Sequence, residues 1–358
     1  MELKALLSSV MTSTVARYAI VTGANAPGLG FRTAQMLASP PHRFRVVLAC
    51  RDEAKGLAAQ RAMSSADPEA WVQYVHLDLA HLESVRRFAD AFRALDGGAP
   101  VKNGLSLLVC NAAVGFGRDN ERKVTADCFE RAMGTNHLGH FLLVHLLLPY
   151  LRRPEAGARV VVVSSSLHDP KSSGGGTSKK PTTLGDLDDL MLERPGTYEV
   201  GYAYRRSKLA NMLFACELHR RLKAARCHSV SVRALEPGFI PQTALGREAG
   251  ALGLFFMQWV LDGVLKWVGL VNFTRTIEEG ATCEVLVSTA PDAAEGGYHR
   301  LSRHGPFLEL VQPSEEALNE DLARRLWEMS AKLTRCAETS LAIAGGATPS
   351  TPRMADDK

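Results

Sequence analysis

The sequence predicts an α/β chain folded as a doubly wound parallel sheet, and three observations carry that prediction. Four short apolar runs, Tyr18-Ala-Ile-Val-Thr22, Arg45-Val-Val-Leu-Ala-Cys50, Leu105-Ser-Leu-Leu-Val-Cys110 and Arg159-Val-Val-Val-Val163, are each bounded by turn or polar residues. Unbroken apolar runs of this length suit strands buried on both faces. Longer stretches of helical period separate them, and the first run leads through a glycine-rich turn into such a stretch. That alternation winds a parallel sheet with helices on either side.

Composition bounds the rest. With 358 residues, 46% hydrophobic and 22% charged, the chain has material for one large domain, read here over residues 17–335 behind an N-terminal extension at 1–16. A net charge of +4 is too small an excess to indicate a nucleic-acid partner, and the paired arginines at 86–87, 152–153, 220–221 and 324–325 read as solvated helix faces. Seven cysteines make an odd count without a CxxC pair, and Cys50 and Cys110 lie inside apolar runs. Reduced, packed thiols in an intracellular reducing compartment, cytoplasmic or organellar, are the expectation. No metal is expected, because His137 and His140 lack a third ligand nearby and read as packed or hydrogen-bonded helix histidines.

Three segments depart from the regular alternation. Residues 168–200, with Lys171-Ser-Ser-Gly-Gly-Gly-Thr-Ser-Lys-Lys180 at their heart, read as a long, mobile surface insertion. Residues 336–358 have no apolar period and read as a disordered tail. The apolar stretch 251–271 invites a membrane-spanning reading, but Gln258, Asp262 and Lys266 recur every four positions and form one polar stripe on a helix. A lipid-spanning helix would have to bury that stripe without a second span to help. An amphipathic helix covering an apolar site as a lid, or lying on a membrane surface in peripheral contact, is the expectation instead. The first residues carry an apolar patch, two basic residues and several hydroxyls, a pattern that assigns no targeting route.

The first strand ends in Thr22-Gly23-Ala-Asn25-Ala-Pro-Gly28-Leu29-Gly30, with a helix following. Glycines let the backbone turn sharply and let a pyrophosphate approach the helix N-terminus, where free N–H groups and the helix dipole favour negative charge. A glycine-rich turn alone is weak evidence; the strand before and helix after make it a dinucleotide site. At the end of the second strand, a fold selecting NAD usually places a carboxylate for the ribose 2′-hydroxyl. Here Cys50 is small and neutral and Arg51 offers a guanidinium for a 2′-phosphate, so NADPH is the expected cofactor.

Tyr204 and Lys208 stand four apart in a helix-like segment and share a face. The ammonium is expected to lower the tyrosine's pKa from its ordinary value of about 10. Tyr204 then serves as general acid toward a carbonyl oxygen, or as general base in reverse. One hydroxyl of Ser164, Ser165 or Ser166 would donate a hydrogen bond to that oxygen as it gains charge.

Together with Asp78-Leu79 after the third strand, Asn111-Ala112-Ala113 after the fourth, Asn136 in Thr-Asn-His-Leu-Gly-His-Phe141 and Pro237-Gly238, these motifs resemble the short-chain dehydrogenase/reductase family, in order, over most of residues 17–335. The resemblance implies a Rossmann fold with Ser165, Tyr204, Lys208 and Asn136 as catalytic residues, Asn136 holding a water that relays protons toward Lys208. It selects Ser165 among the three serines because His168 then keeps its usual offset. It also implies Asp78 and Leu79 at the adenine, Asn111 and Ala112 in the cofactor cleft, Tyr204 and Lys208 at the ribose, and Pro237-Gly238 beside the nicotinamide. One departure is the glycine turn, which has four residues between its first two glycines where the family has three, Pro27 being the extra one. The loop must be rebuilt locally, and cofactor affinity is the property at stake.

Within the family, Ala-Cys-Arg-Asp52, Asn-His-Leu-Gly-His-Phe-Leu-Leu143, Ser207-Lys-Leu-Ala-Asn211 and Leu326-Trp-Glu-Met-Ser330 resemble the branch of retinol dehydrogenases and light-dependent protochlorophyllide reductases. Phe239 stands where those reductases carry a cysteine implicated in their reaction, and Gly115 where they carry an aromatic residue. The implied function is NADPH-dependent hydride transfer to or from a carbonyl or alcohol of a bulky apolar substrate such as a retinoid, sterol or other lipid-like compound. Light-driven reduction of a pigment and a cofactor-binding regulatory or scaffold protein without turnover are the alternatives.

Overall fold

Strand β1 (Tyr18–Thr22) shows how the sheet divides the interior. All five residues are buried, Tyr18 and Ile20 in the apolar cluster on one face and Ala19 and Val21 in the cluster on the other. Side chains of successive strand residues point to opposite faces, so an unbroken apolar run feeds both cores at once. The computed structural model describes residues 16–115, 120–172, 174–177, 180–185, 187–241 and 274–336. The expected lid at 251–271, and the terminal segments 1–15 and 337–358, lie outside the described residues.

The other strands are β2 (Arg45–Cys50), β3 (Val72–His76), β4 (Leu107–Cys110), β5 (Ala158–Val163), β6 (Val230–Glu236), β7 (Tyr298–Leu301) and β8 (Leu308–Val311). They form one eight-stranded sheet in the order β8-β7-β6-β5-β4-β1-β2-β3, parallel except for the edge strand β8. The four apolar runs of the sequence are β1, β2, β4 and β5, which lie side by side inside it. The strand order reverses between β1 and β4, and in such sheets ligands bind in the crevice at the carboxyl ends there.

Helices α1 (Leu29–Ala38), α2 (Glu53–Ala66) and α6 (Ile277–Thr289) cover one face; α3 (Leu82–Ala94), α4 (Gly139–Leu151), α5 (Val200–Ala224) and α7 (Glu320–Leu333) cover the other. Their starts follow capping chemistry. Asp52 accepts from Lys55 N, Asn319 from Leu322 N, and Thr276 forms a reciprocal capping box with Glu279. Helix α4 is apolar all round because it is enclosed: Phe141 packs edge-on against Trp327 of α7, with ring centroids 5.0 Å apart. No helix among the described residues is long and apolar enough to cross a membrane.

The described part of 168–200 corrects its reading as a surface insertion. Leu184, Leu187 and Leu190 belong to the main core. Arg206 of α5 donates to the carbonyls of Leu184 (3.0 Å) and Asp189 (3.1 Å), stapling the segment to the domain. Three leucines beyond the Gly, Ser and Lys run anchor the segment in the core, while Pro170, Lys171, Pro181 and Gly185 stay exposed.

Candidate active site

The glycine turn is laced to the loop after β4. Gly23 has φ +70°, and a Cβ at Gly30 would come within 2.4 Å of Asn111 Nδ2. Asn111 Nδ2 donates to Thr22 O (2.7 Å), and Ala112 N donates to Thr22 Oγ1 (2.9 Å). Half-buried Asn25 and Leu29 complete the turn. Gly28 is the N-cap of α1, without a side-chain cap and with no acidic residue in the first turn. That end therefore presents its N–H groups to an anion, which fits a dinucleotide pyrophosphate.

The remaining cofactor candidates lie along the carboxyl ends of the strands. Arg51 is exposed after β2, while Asp52 is engaged elsewhere, capping α2 at 3.0 Å and pairing with Lys55 at 3.4 Å. Asp78 Oδ1 accepts from Ala80 N (3.0 Å) and Leu79 is buried beneath Gly139. Beyond β6, Pro237 is half-buried and Gly238 has φ +83°, with Phe239 O accepting from Arg275 N at 2.7 Å. All of them follow the carboxyl ends of strands of the one sheet.

Ser165, Tyr204 and Lys208 are brought together where β5 ends against α5. The Tyr204 hydroxyl hydrogen-bonds the Ser165 side chain. Lys208 Nζ donates to Val163 O (3.0 Å) and lies 5.7 Å from the centroid of the Tyr204 ring. Ser164 Oγ is committed to Lys208 O at 2.9 Å, so among these neighbours Ser165 is the serine that reaches the tyrosine. Asn136 lies in a buried π-helical turn, Met133–Leu138, ahead of α4. Its amide donates to Val114 O (3.0 Å) and Ser207 Oγ (2.9 Å) and accepts from Val114 N (2.8 Å), bracing the β4 loop against α5.

The expectation for the tyrosine's acidity is corrected. Burial pushes the Tyr204 hydroxyl well above its ordinary range and the Ser165 bond pulls it only partly back. Lys208 does not offset that burial because its ammonium is turned to Val163 O. Burial pushes Lys208 itself down to about 8, against the raising influence of the Glu284 charge.

His140 is the hydrogen-bonded helix histidine that the sequence reading expects, and Glu284 is a residue that it missed. His140 Nδ1 meets Asn136 O (2.9 Å), an acceptor only, so Nδ1 carries the proton and Nε2 accepts from Thr22 Oγ1 (2.9 Å). Burial, which pushes its pKa down to about 4, keeps this ring neutral. His140 thereby ties the glycine turn to the π turn. His137 is likewise spent on a hydrogen bond, to Ser330 Oγ at 2.8 Å. The second residue is Glu284 of α6, whose Oε2 accepts from Thr33 Oγ1 at 2.6 Å while its Oε1 meets no donor. Burial pushes this carboxyl up to about 7. A lone acid inside Ala281-Thr-Cys-Glu-Val-Leu-Val287 was its signal.

Comparisons with known proteins agree with this geometry. The family model described as short chain dehydrogenase matches residues 17–176. The WW domain-containing oxidoreductase of Danio rerio is 37% identical over 318 residues, spanning 88% of this chain and 68% of its own. The chloroplastic protochlorophyllide reductase of Daucus carota is 35% identical over 329 residues, spanning 88% and 77%. A crystal structure of an uncharacterized protein from Mycobacterium paratuberculosis matches with a TM-score of 0.64 at 32% identity, covering 90% of this chain and 96% of that one. With a serine, a tyrosine and a lysine gathered beside a glycine turn on a Rossmann sheet, and with this likeness extending over most of the sequence, the chain belongs to the short-chain dehydrogenase/reductase family of oxidoreductases.

Proposed function

We propose that the protein is an NADPH-dependent oxidoreductase acting on a carbonyl or alcohol of a bulky apolar substrate, a retinoid, sterol or lipid-like compound. The observation that carries this reading is the meeting of Ser165, Tyr204 and Lys208 at the end of β5 beside the glycine turn. The open N-terminus of α1 suits the pyrophosphate. Arg51 is free to meet a 2′-phosphate, and Asp52, spent on capping α2, is poorly placed to accept from a 2′-hydroxyl. NADPH, when bound, supplies the hydride.

The side chains then handle the proton and the charge. Tyr204, held neutral by burial, is suited to donate its proton to the substrate oxygen. Ser165, already at the tyrosine hydroxyl, donates a hydrogen bond to the same oxygen as charge builds there. Lys208 offers its ammonium to the cofactor ribose and, from the same helix face, favours the phenolate that proton transfer leaves. Asn136 holds α5 against the β4 loop so that these groups stay in register.

The likeness to protochlorophyllide reductases favours a second reading, light-driven reduction of a pigment double bond. Phe239, 37% exposed at the end of β6, has no proton to give, which supports carbonyl chemistry in darkness. A fluorescence titration with NADPH, followed by a screen of retinal, steroid ketones and protochlorophyllide in dark and light, tests both. Dark turnover of an aldehyde or ketone is expected; pigment reduction on illumination alone would overturn the choice of substrate. In the same titration NADPH should bind at least about tenfold tighter than NADH. Arg51→Ala should erase most of that preference, since a charge-assisted phosphate bond is worth roughly 1.5–3 kcal/mol. Equal dissociation constants for both cofactors would remove Arg51 from this role.

A further inference from the structure

We infer that His168 is a positioning residue that fixes the Ser165 hydroxyl, its imidazole linking the chain beyond β5 to the segment at 314–318. The inference rests on the role proposed for Ser165. Beyond β5 the chain makes a short 3₁₀ turn, Ser166–His168, with Ser165 as its N-cap. Ser165 Oγ accepts from Leu167 N at 3.3 Å, which leaves the hydroxyl proton for another acceptor. Ser165 O is held twice, by His168 N at 3.1 Å and by the Nδ1 of the His168 ring at 2.7 Å. On the far side of the ring, Ser314 N donates to Nε2 at 3.2 Å. Ser165 is thus gripped at both of its oxygens, and the ring carries that grip across to a distant segment of the chain.

The two partners dictate the state of the ring. A carbonyl only accepts and an amide N–H only donates, so Nδ1 carries the proton and Nε2 is bare. The ring is 1% exposed and packs edge-on against Tyr298 of β7, with ring centroids 5.2 Å apart. Burial pushes its pKa down and keeps it neutral, as the bond from Ser314 N requires. The far anchor is held in turn. Ser314 Oγ accepts from Ala317 N at 3.3 Å, and Glu316 Oε1 accepts from Thr183 Oγ1 (2.9 Å), Leu184 N (2.8 Å) and Gly185 N (3.3 Å). Leu184 O accepts from Arg206, two residues from Tyr204 on α5. The segment at 314–316 therefore braces Ser165 through His168, and braces the helix that carries Tyr204 through residues 183–185. Two hydroxyls that must meet one substrate oxygen gain from such bracing, because a misplacement of about 1 Å can cost roughly 10²-fold in rate.

The test compares His168→Asn, His168→Gln and His168→Ala. Asparagine can set an amide N–H where Nδ1 stands and keep the bond to Ser165 O. Glutamine can set an oxygen where Nε2 stands, keeping Ser314 and releasing Ser165. With the aldehyde or ketone that the unmutated protein reduces in darkness, kcat should fall by about tenfold in the Ala and Gln variants and by less in the Asn variant. The NADPH dissociation constant should stay unchanged in all three. Better rescue by glutamine than by asparagine overturns the inference, and so does NADPH binding that weakens in step with kcat. A double-mutant cycle separates positioning from general loosening: in a Ser165→Ala background, His168→Gln should cost less than about twofold more. A full further loss there overturns the inference. The third readout needs neither turnover nor cofactor. Nitrogen NMR spectra of the imidazoles at neutral pH, with His168 assigned by the signal missing from any folded variant, should show a neutral ring protonated at Nδ1. A proton on Nε2 overturns the inference even where a variant fails to fold. Undiminished turnover in Ser165→Ala alone, or no turnover in the unmutated protein, overturns the functional reading instead, and with it this role for His168.

Discussion

Helices α5 and α6 lie on opposite faces of the sheet and each buries ionisable side chains, yet they bury them differently. On α5 the groups find partners at their reacting ends: Tyr204 meets the Ser165 hydroxyl, Lys208 meets Val163 O, and the Arg206 terminal nitrogens meet two carbonyls, with its Nε left unmatched. On α6 a single carboxyl sits among Cys283, Val285 and Val287 with one of its oxygens unmatched. The first arrangement positions groups for reaction. The second holds an electrostatic cost in the interior, and such a cost is retained where the charge acts on something else. The two helices thus divide the labour, α5 presenting chemistry to the crevice and α6 setting the packing and the field behind it.

The largest effect that sharpens this division belongs to α5. Tyr204→Phe keeps the ring and its packing and removes the proton, so turnover should fall by about 10²-fold or more with NADPH binding little changed. Its melting temperature should stay near that of the unmutated protein. Undiminished dark activity in this variant would break the comparison at its centre.

An intermediate effect belongs to the packing of α6. A Cβ at Gly280 would lie 2.4 Å from Ile240 Cδ1 and 3.0 Å from Leu29 Cδ1. Gly280→Val should therefore overpack the α1–α6 contact and cost about 1–3 kcal/mol in urea unfolding. It should also weaken NADPH binding, because Leu29 opens the helix that receives the pyrophosphate. Lost turnover with unchanged stability and affinity would place α6 among the reacting elements and blur the distinction.

The smallest effect lies at the start of α6. Thr276→Ala removes one half of the capping box and should cost about 1 kcal/mol of stability, with little change in turnover. A large activity loss there would mean that the exit from 274–276 is part of the site.

What was legible in the sequence follows the same division. Tyr204, Lys208 and the glycine turn obey fixed spacings, because a helix repeats its faces every three or four residues and a tight turn limits which residues fit. Strands β1, β2, β4 and β5 were legible because burial on both faces forces unbroken apolar runs, whereas β3, with Gln73 and His76 in it, has no such run. Glu284 has no partner at a fixed spacing; its partner Thr33 comes from a distant part of the chain, and only the fold brings the two together. The segment 168–200 misled because composition averages over residues while packing depends on a few, and Leu184, Leu187 and Leu190 anchor its second half in the core. The acidity of Tyr204 was misjudged for a related reason: spacing places Lys208 on the correct face, but the direction of its ammonium is set by Val163 O, which no local pattern contains.

The bridge between Phe239 and Thr274, with Arg275 N bonded to Phe239 O at 2.7 Å, fastens the two ends of the intervening chain side by side at the rim of the crevice. Once such a neck is closed, a change in the length of chain between its two ends costs little, since closure entropy grows only with the logarithm of that length. The scaffold can therefore accept a differently sized or differently composed segment at that point without shifting Tyr204, Lys208 or the glycine turn.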